Sequence, residues 1–170
     1  MTCAVRTPLK VEEPGLRDAM RQAAGGVSVV TAGIGADRAG LTVVSATSLS
    51  VDPPTMIVCV NRTASAMSVI RRYRHFCVNI LTVDQQAVAE RFSGRGGVYG
   101  EGRYAGATWS QLETGALALD GALASIDCVV DEMIERHSHA ILIGSVSAIR
   151  LGHGRPLVYS QGGYGEFLAA

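Results

Sequence analysis

From Gly40 the chain runs Leu41-Thr42-Val43-Val44-Ser45-Ala46-Thr47-Ser48-Leu49-Ser50-Val51, meets Asp52-Pro53-Pro54, and continues Thr55-Met56-Ile57-Val58-Cys59-Val60-Asn61-Arg62. β-Branched and hydroxyl residues favour extended backbone, and a proline pair removes two ladder donors. The pattern therefore predicts a long strand over Leu41 to Val51, a break, and a buried strand over Thr55 to Val60. Hydroxyls and backbone amides set between apolar strand residues suit a polar, phosphate-bearing ligand held against a hydrophobic wall, with Arg62 as a nearby cation. The same pattern also describes a solvent-facing strand in which Ser and Thr only fill polar positions.

Pro14 suits the first turn of a helix in which Leu16, Met20 and Ala23 or Ala24 share one face, and Gly25-Gly26 ends it. That helix is expected to cap the end of a barrel. Val27 to Ala32 reads as a strand and Gly33 to Gly40 as a hairpin loop. After Asn61, Ser65 is the expected N-cap of a short helix carrying Met67, Ile70 and Arg71. Phe76 to Leu81 resumes strand, and Thr82 opens a second helix with Gln85 at capping-box spacing and Val88 and Phe92 as its apolar stripe. Ser93-Gly94 ends it. Arg95 to Gly106 holds Gly96, Gly97, Gly100 and Gly102, a composition that predicts a mobile loop of the kind that gates ligands. From Ala122 to Glu135 the chain alternates, with Ala124, Ile126, Cys128, Val130 and Glu132 on the face expected to be buried. The turn Arg136-His137-Ser138 leads into a strand over His139 to Ile149, and Leu157 to Ser160 forms a last one.

Strands outnumber helices and hairpins join them, so the fold class is mainly β with short helices. Residues 1–14 read as a tail and 15–170 as one domain, since a chain of 170 residues buries roughly 70% of its unfolded surface in a single core. Fifteen basic and fifteen acidic residues cancel, which argues against nucleic-acid or anionic-membrane partners. Lys10 is the only lysine among the basic residues, a coding bias. No apolar run reaches the ~20 residues of a membrane span, and Glu12 and Glu13 sit where a secretory signal would be apolar, so a cytoplasmic protein is expected. Cys3, Cys59, Cys77 and Cys128 are far apart, three within apolar strand patterns, and read as free thiols. Neither a dinucleotide-binding glycine motif nor a Walker loop occurs: Gly33-Ile34-Gly35 fails at Arg38 and Gly94-Arg95-Gly96 fails at Tyr99. A nicotinamide cofactor would have to visit as a substrate. His137-x-His139 lacks a spaced partner, so no metal site is expected.

Taken in order, the hydroxyl strand with Asp52-Pro53-Pro54, Phe76-Cys77-Val78-Asn79-Ile80-Leu81, Ala89-Glu90-Arg91-Phe92, Ser138-His139-Ala140-Ile141-Leu142-Ile143-Gly144 and Tyr159-Ser160-Gln161-Gly162-Gly163-Tyr164 resemble the short-chain flavin reductases, which have the FMN-binding split-barrel fold. The resemblance spans Leu16 to Tyr164. It implies a homodimer that reduces FMN or FAD with NADH or NADPH and supplies a partner monooxygenase, as 4-hydroxyphenylacetate 3-monooxygenase reductases do. An FMN-containing reductase of cob(II)yrinic acid a,c-diamide is the alternative within the family, and a non-catalytic flavin- or haem-binding split barrel the alternative of another class. By the same resemblance, Val43, Val44, Ser45, Thr47, Ser48, Leu49 and Ser50 contact the flavin, and Asn61, Arg62, Ser65 and Ala66 form its phosphate loop. Phe92 is either core or flavin contact, beside a less secure Arg91. His139 and Tyr164 are placed at the nicotinamide; no acid-base residue is required for hydride transfer, and His139 is the candidate for proton management near the flavin. Related reductases often carry an amide side chain where this chain has Val44. Trp109 is assigned to packing.

Overall fold

The computed structural model describes residues 15–168. The tail, with Cys3, Lys10, Glu12, Glu13 and the role given to Pro14, lies outside the described residues. The chain begins with α1 (Leu16–Arg21), β1 (Gly25–Gly26), β2 (Ser28–Ile34), β3 (Asp37–Val43), β4 (Ala46–Val51) and β5 (Pro54–Asn61). It continues through α2 (Ser65–Tyr73), β6 (His75–Ile80), α3 (Gln86–Phe92), β7 (Trp109–Gln111) and β8 (Leu117–Leu119). The last elements are β9 (Ala124–Arg136), β10 (His139–Leu151), β11 (Leu157–Ser160) and β12 (Gly163–Glu166).

Seven strands form one antiparallel sheet in the order β3-β2-β6-β9-β10-β5-β4. Its two edge strands, β3 and β4, are consecutive in sequence and joined only by Val44 and Ser45. Three Cα steps span at most about 11 Å, whereas the edges of a flat sheet of this width lie about 29 Å apart. The sheet must therefore curl until its edges meet, and since β3 and β4 do not pair with each other the result is a barrel with an open seam. This is the split barrel expected above. The single strand expected over Leu41 to Val51 is corrected to two: the backbone turns at Val44-Ser45 so that β3 pairs with β2 and β4 with β5.

Inside the barrel, Val30, Val43, Met56, Val58, Val60, Phe76 and Leu142 form the main core, and α2 inserts Met67 and Ile70 among them. Gly144 lets the wall close over this core, because a Cβ there would lie 2.8 Å from the Phe76 ring and 3.0 Å from the Val129 carbonyl. A second cluster, Val29, Leu81, Val88, Phe92, Tyr104 and Leu119, joins the sheet to α3 on the outside.

Several local expectations need correction. The hairpin after β2 is a two-residue turn at Gly35-Ala36, with Ile34 opposite Asp37, rather than a loop over Gly33 to Gly40. Ser65 is the first helical residue of α2, and Ala64 holds the cap position without a side-chain bond. The helix α1 buries no residue in this chain, with Leu16 71% and Met20 61% exposed, so it does not cap the barrel. Only part of Arg95 to Gly106 is a loop: Gly100 to Tyr104 forms a single helical turn in which Arg103 and Tyr104 are buried. The opposite face of β9 is also covered, since Ser125 and Asp127 are 1% and 0% exposed. The unanticipated β7–β8 hairpin covers it and satisfies the polar groups that would otherwise be costly to bury. Asp127 accepts hydrogen bonds from the Glu113 and Thr114 amides and the Thr114 hydroxyl at 2.9, 2.7 and 2.6 Å. Asn79 accepts from the Leu119 amide at 2.7 Å and the Ser125 hydroxyl at 2.8 Å, and donates to the Val29 carbonyl at 3.2 Å. Cys59, Cys77 and Cys128 are free thiols as expected, and burial pushes the Cys128 thiol up to about 12.

Asp127→Ala would leave three donors without their acceptor and is expected to destabilise the fold by roughly 3 kcal/mol in urea unfolding. A loss below about 1 kcal/mol would show that the hairpin is not anchored through this carboxylate.

Candidate functional site

The open seam is where the chain builds a groove. Val43, Val44 and Thr42 at the end of β3 form one wall, Ser93 and Arg95 after α3 face them, and Tyr159 and Tyr164 close the floor around a cavity of about 220 Å³. Tyr159 and Tyr164 stand opposite each other across β11 and β12, with ring centroids 5.2 Å apart. Gln161-Gly162 turns the hairpin between them, both with positive φ, as a type I′ turn requires. The Arg95 guanidinium donates to the Tyr159 hydroxyl at 3.3 Å, and burial raises the Tyr164 phenol above its ordinary range.

Thr42 and Ser93 also border a second cavity, of about 260 Å³, reaching Ala64 and Ser65 at the start of α2 and Arg103 beneath the glycine-rich segment. Phe92 forms its inner wall and is 1% exposed, packed edge-on to Tyr104 at 5.0 Å and against Trp109 at 5.6 Å. Phe92 is thus a core residue with one edge at the cavity, and Trp109 is packing as expected. Gly40 allows β3 to pass this ring, because a Cβ at that position would lie 2.6 Å from Phe92. On the other side of Ser93 and Arg95 a wider space of about 520 Å³ is bordered by Arg91, Glu90 and Gly162.

Residues expected at the site fall into three groups. Val43, Val44, Ser65, Phe92 and Tyr164 line these two cavities, which share Thr42 and Ser93. Ser45, Thr47, Ser48, Leu49 and Ser50 continue from the groove along β4, the edge strand. The Ser45 hydroxyl donates to the Cys59 carbonyl at 3.0 Å and pins the seam, while that of Ser50 donates to the Asp52 carbonyl at 3.0 Å within the turn. Thr47 and Ser48 are exposed and their hydroxyls make no hydrogen bond among the described residues. Leu49 is 54% exposed where the β4–β5 register shifts. The third group gathers at the β9–β10 turn. Arg62 pairs with Glu135 at 2.9 Å and donates to the His137 carbonyl at 3.0 Å, so it is not a free cation. Asn61 accepts from the Thr63 amide at 2.9 Å and stands opposite His139 across β5 and β10. His139 is exposed, its Nδ1 2.9 Å from the Ser138 hydroxyl, and it borders none of the three cavities. The chain therefore does not bring His139 and Tyr164 together in a single cavity.

Ala66 is buried in the first turn of α2, and the amides of Ser65 and Ala66 donate to no acceptor among the described residues. Such a helix start favours an anion. Thr42, Ser93, Arg95, Tyr159 and Arg103 border the groove without having been singled out from the sequence. The Tyr159-x4-Tyr164 spacing about Gln161-Gly162 was the available signal for one of them.

A model of the flavin reductase-like domain matches residues 20–168. The chain is 40% identical over 142 residues to a Methylorubrum extorquens (strain PA1) protein named FMN reductase (NADH) RutF 2, covering 84% of this chain and 81% of that one. BorF, the flavin reductase component of a bacterial two-component tryptophan halogenase, superposes with a TM-score of 0.84 at 29% identity, over 94% of this chain and all of that one. The styrene monooxygenase flavin reductase of Pseudomonas putida S12 gives 0.80 at 27% identity, over 91% and 97% of the two chains.

Ser93, Gly94, Arg95, Gly96 and Val98 border the cavities, and the amides of Gly94, Gly96, Gly97 and Val98 donate to no acceptor among the described residues, whereas Arg103 and Tyr104 are anchored through their side chains to the carbonyls of Gly40 and Ala39. Hydrogen exchange is expected to slow over 93–98 when FMN is added and to be slow at 103–104 in both states. Equal exchange over 93–98 with and without FMN would detach that segment from the site.

Proposed function

Because this chain belongs to the family defined by the flavin reductase-like domain, we propose that it is an NADH-dependent FMN reductase whose flavin lies along the open seam of the barrel. The carrying observation is a groove that joins an apolar wall at Val43 and Val44 to an anion-favouring helix start at Ser65 and Ala66. That combination suits a flat ring with a phosphate tail. FMN in preference to FAD, and NADH in preference to NADPH, follow the name of the curated relative.

A bound flavin supplies a ring that accepts hydride from the nicotinamide. The chain's own residues align and enclose the reactants. Val43, Val44 and Leu49 offer apolar contact, and the free hydroxyls of Thr47 and Ser48 with the unpaired backbone edge of β4 offer donors and acceptors to the polar rim. Ser45 and Ser50 hold the strand ends in place. Asn61 and Arg62 fix the loop that presents Ser65 and Ala66, while Phe92 backs the cavity. Tyr164 packs at the nicotinamide side, and His139 serves as a positioning residue there, brought near by a second subunit or by loop closure.

The exposed apolar side chains Val44, Leu49, Val51, Ile149 and Leu151 on β4, β10 and the seam between β3 and β4 support a homodimer covering this face. The reduced flavin passes to a separate oxygenase. This rests on likeness to reductase components of a halogenase and of styrene monooxygenase. Kinship with named reductases favours a catalyst over the non-catalytic binding barrel, and no observation favours corrin reduction. No helix among the described residues is long and apolar enough to cross a membrane.

In stopped-flow mixing with NADH under anaerobic conditions, the native protein is expected to bleach bound FMN. His139→Ala should do so at least about tenfold more slowly, with FMN affinity retained, because alignment rather than binding is lost. A variant that melts early yet reduces flavin at the native rate would make His139 structural.

A further inference from the structure

His75 opens β6 directly after α2 and is 7% exposed. Its Nε2 accepts a hydrogen bond from the Gly33 amide at 3.1 Å, so the neutral ring carries its hydrogen on Nδ1. The ring stacks on Tyr73, with centroids 5.6 Å apart and planes 26° from parallel. Tyr73 in turn donates its hydroxyl to Asp37 at 3.0 Å, and Arg72 pairs with the same carboxylate. The end of α2 and the start of β6 thus grip the β2–β3 hairpin at Gly33 and Asp37. Contact there is close: a Cβ at Gly33 would lie 2.6 Å from the Val69 side chain of α2 and 2.1 Å from the Asp37 carbonyl. The other ends of the two gripped elements, Ser65 on α2 and Gly40 to Thr42 on β3, border the cavity of about 260 Å³.

We propose that His75 is a pH-sensitive latch between these two walls of the cavity, holding α2 and the β2–β3 hairpin together while neutral and letting go of Gly33 when protonated. Its link to flavin rests on the reading above. A proton on Nε2 replaces the acceptor with a second donor facing the Gly33 N–H, and the bond is lost. Burial already holds the His75 imidazole below its ordinary range. Among the groups around it, the Asp127 carboxylate on β9 favours the proton, but three donors of the β7–β8 turn engage that carboxylate. On α2 and β3, Arg72 and Asp37 neutralise each other, and the bond to Asp37 raises the Tyr73 phenol. Arg74 donates to the Val130 and Asp131 carbonyls, and burial pushes the Cys77 thiol up. An imidazole held neutral in the folded chain takes its proton more readily once the chain unfolds. The latch is therefore fully set above the ordinary imidazole value of about 6.5 and is lost as the pH falls below it. By reciprocity, a bound flavin that needs both walls in place keeps His75 neutral to a lower pH.

The test follows the imidazole resonances of the native protein by NMR from about pH 8 to pH 4, with and without FMN. The chain has four histidines, and His137, His139 and His153 are exposed. His75 is expected to titrate below those three, and lower still when FMN is added. A His75→Gln variant keeps a side-chain acceptor that takes no proton in this range. Between about pH 7 and pH 5 the native protein should lose thermal stability and FMN affinity more steeply than the variant, the added steepness in affinity being at most about tenfold per pH unit because one proton is exchanged. The phosphate of FMN also takes up a proton in this range, equally with both proteins, so the difference between them isolates the imidazole. If His75→Gln fails to fold by its melting curve, the titration of the native protein with and without FMN decides. His75 titrating together with the exposed histidines, or equal pH dependence in native protein and variant, would overturn the latch. A low titration that FMN leaves unmoved would confine His75 to the fold and overturn its link to the cavity. A protein that binds no FMN at any pH would overturn the flavin reading itself, a different result, and its His75 titration would still report the contact with Gly33.

Discussion

The structure depends on two residues that refuse to stay in a strand. Val44 and Ser45 carry the chain from one edge of a seven-stranded sheet to the other, and that short link forces the sheet to curl on itself. Were β3 and β4 one continuous strand, the sheet would have no reason to close. Because they meet at an angle and do not pair, closure leaves a seam lined with unpaired backbone and side chains of both strands. The bond from the Ser45 hydroxyl to the Cys59 carbonyl holds the corner.

Everything in the candidate site follows from that seam. The apolar interior of the barrel reaches the surface there as Val43 and Val44, and α2, driven into the core by Met67 and Ile70, presents its first turn nearby. The end of α3 and the β11–β12 hairpin complete the groove. A bundle of strands thus acquires an apolar wall and an electropositive end without a dedicated binding motif.

The sequence disclosed the fold class and most strands because their alternation and turn chemistry are local. The capping box at Thr82 and Gln85 is present, and so are the free thiols among the described cysteines. What it hid was tertiary. Leu41 to Val51 has uniform β propensity, so nothing marked the corner at Val44-Ser45. The buried face of Ser125 and Asp127 looked polar because its covering hairpin, β7–β8, lies in a stretch with little periodicity. Arg62 drew attention by following the strand directly, but its charge is taken up by Glu135, more than seventy residues further along the chain, a pairing that only the fold reveals.

The most direct measurement is a crystal structure of the chain with FMN bound. The ring is expected against Val43 and Val44 at the seam, with the phosphate within hydrogen-bonding distance of the Ser65 and Ala66 amides. Flavin density seated elsewhere, for example in the separate cavity beside Trp109 and Arg38, would contradict the claim that the split between β3 and β4 builds the site.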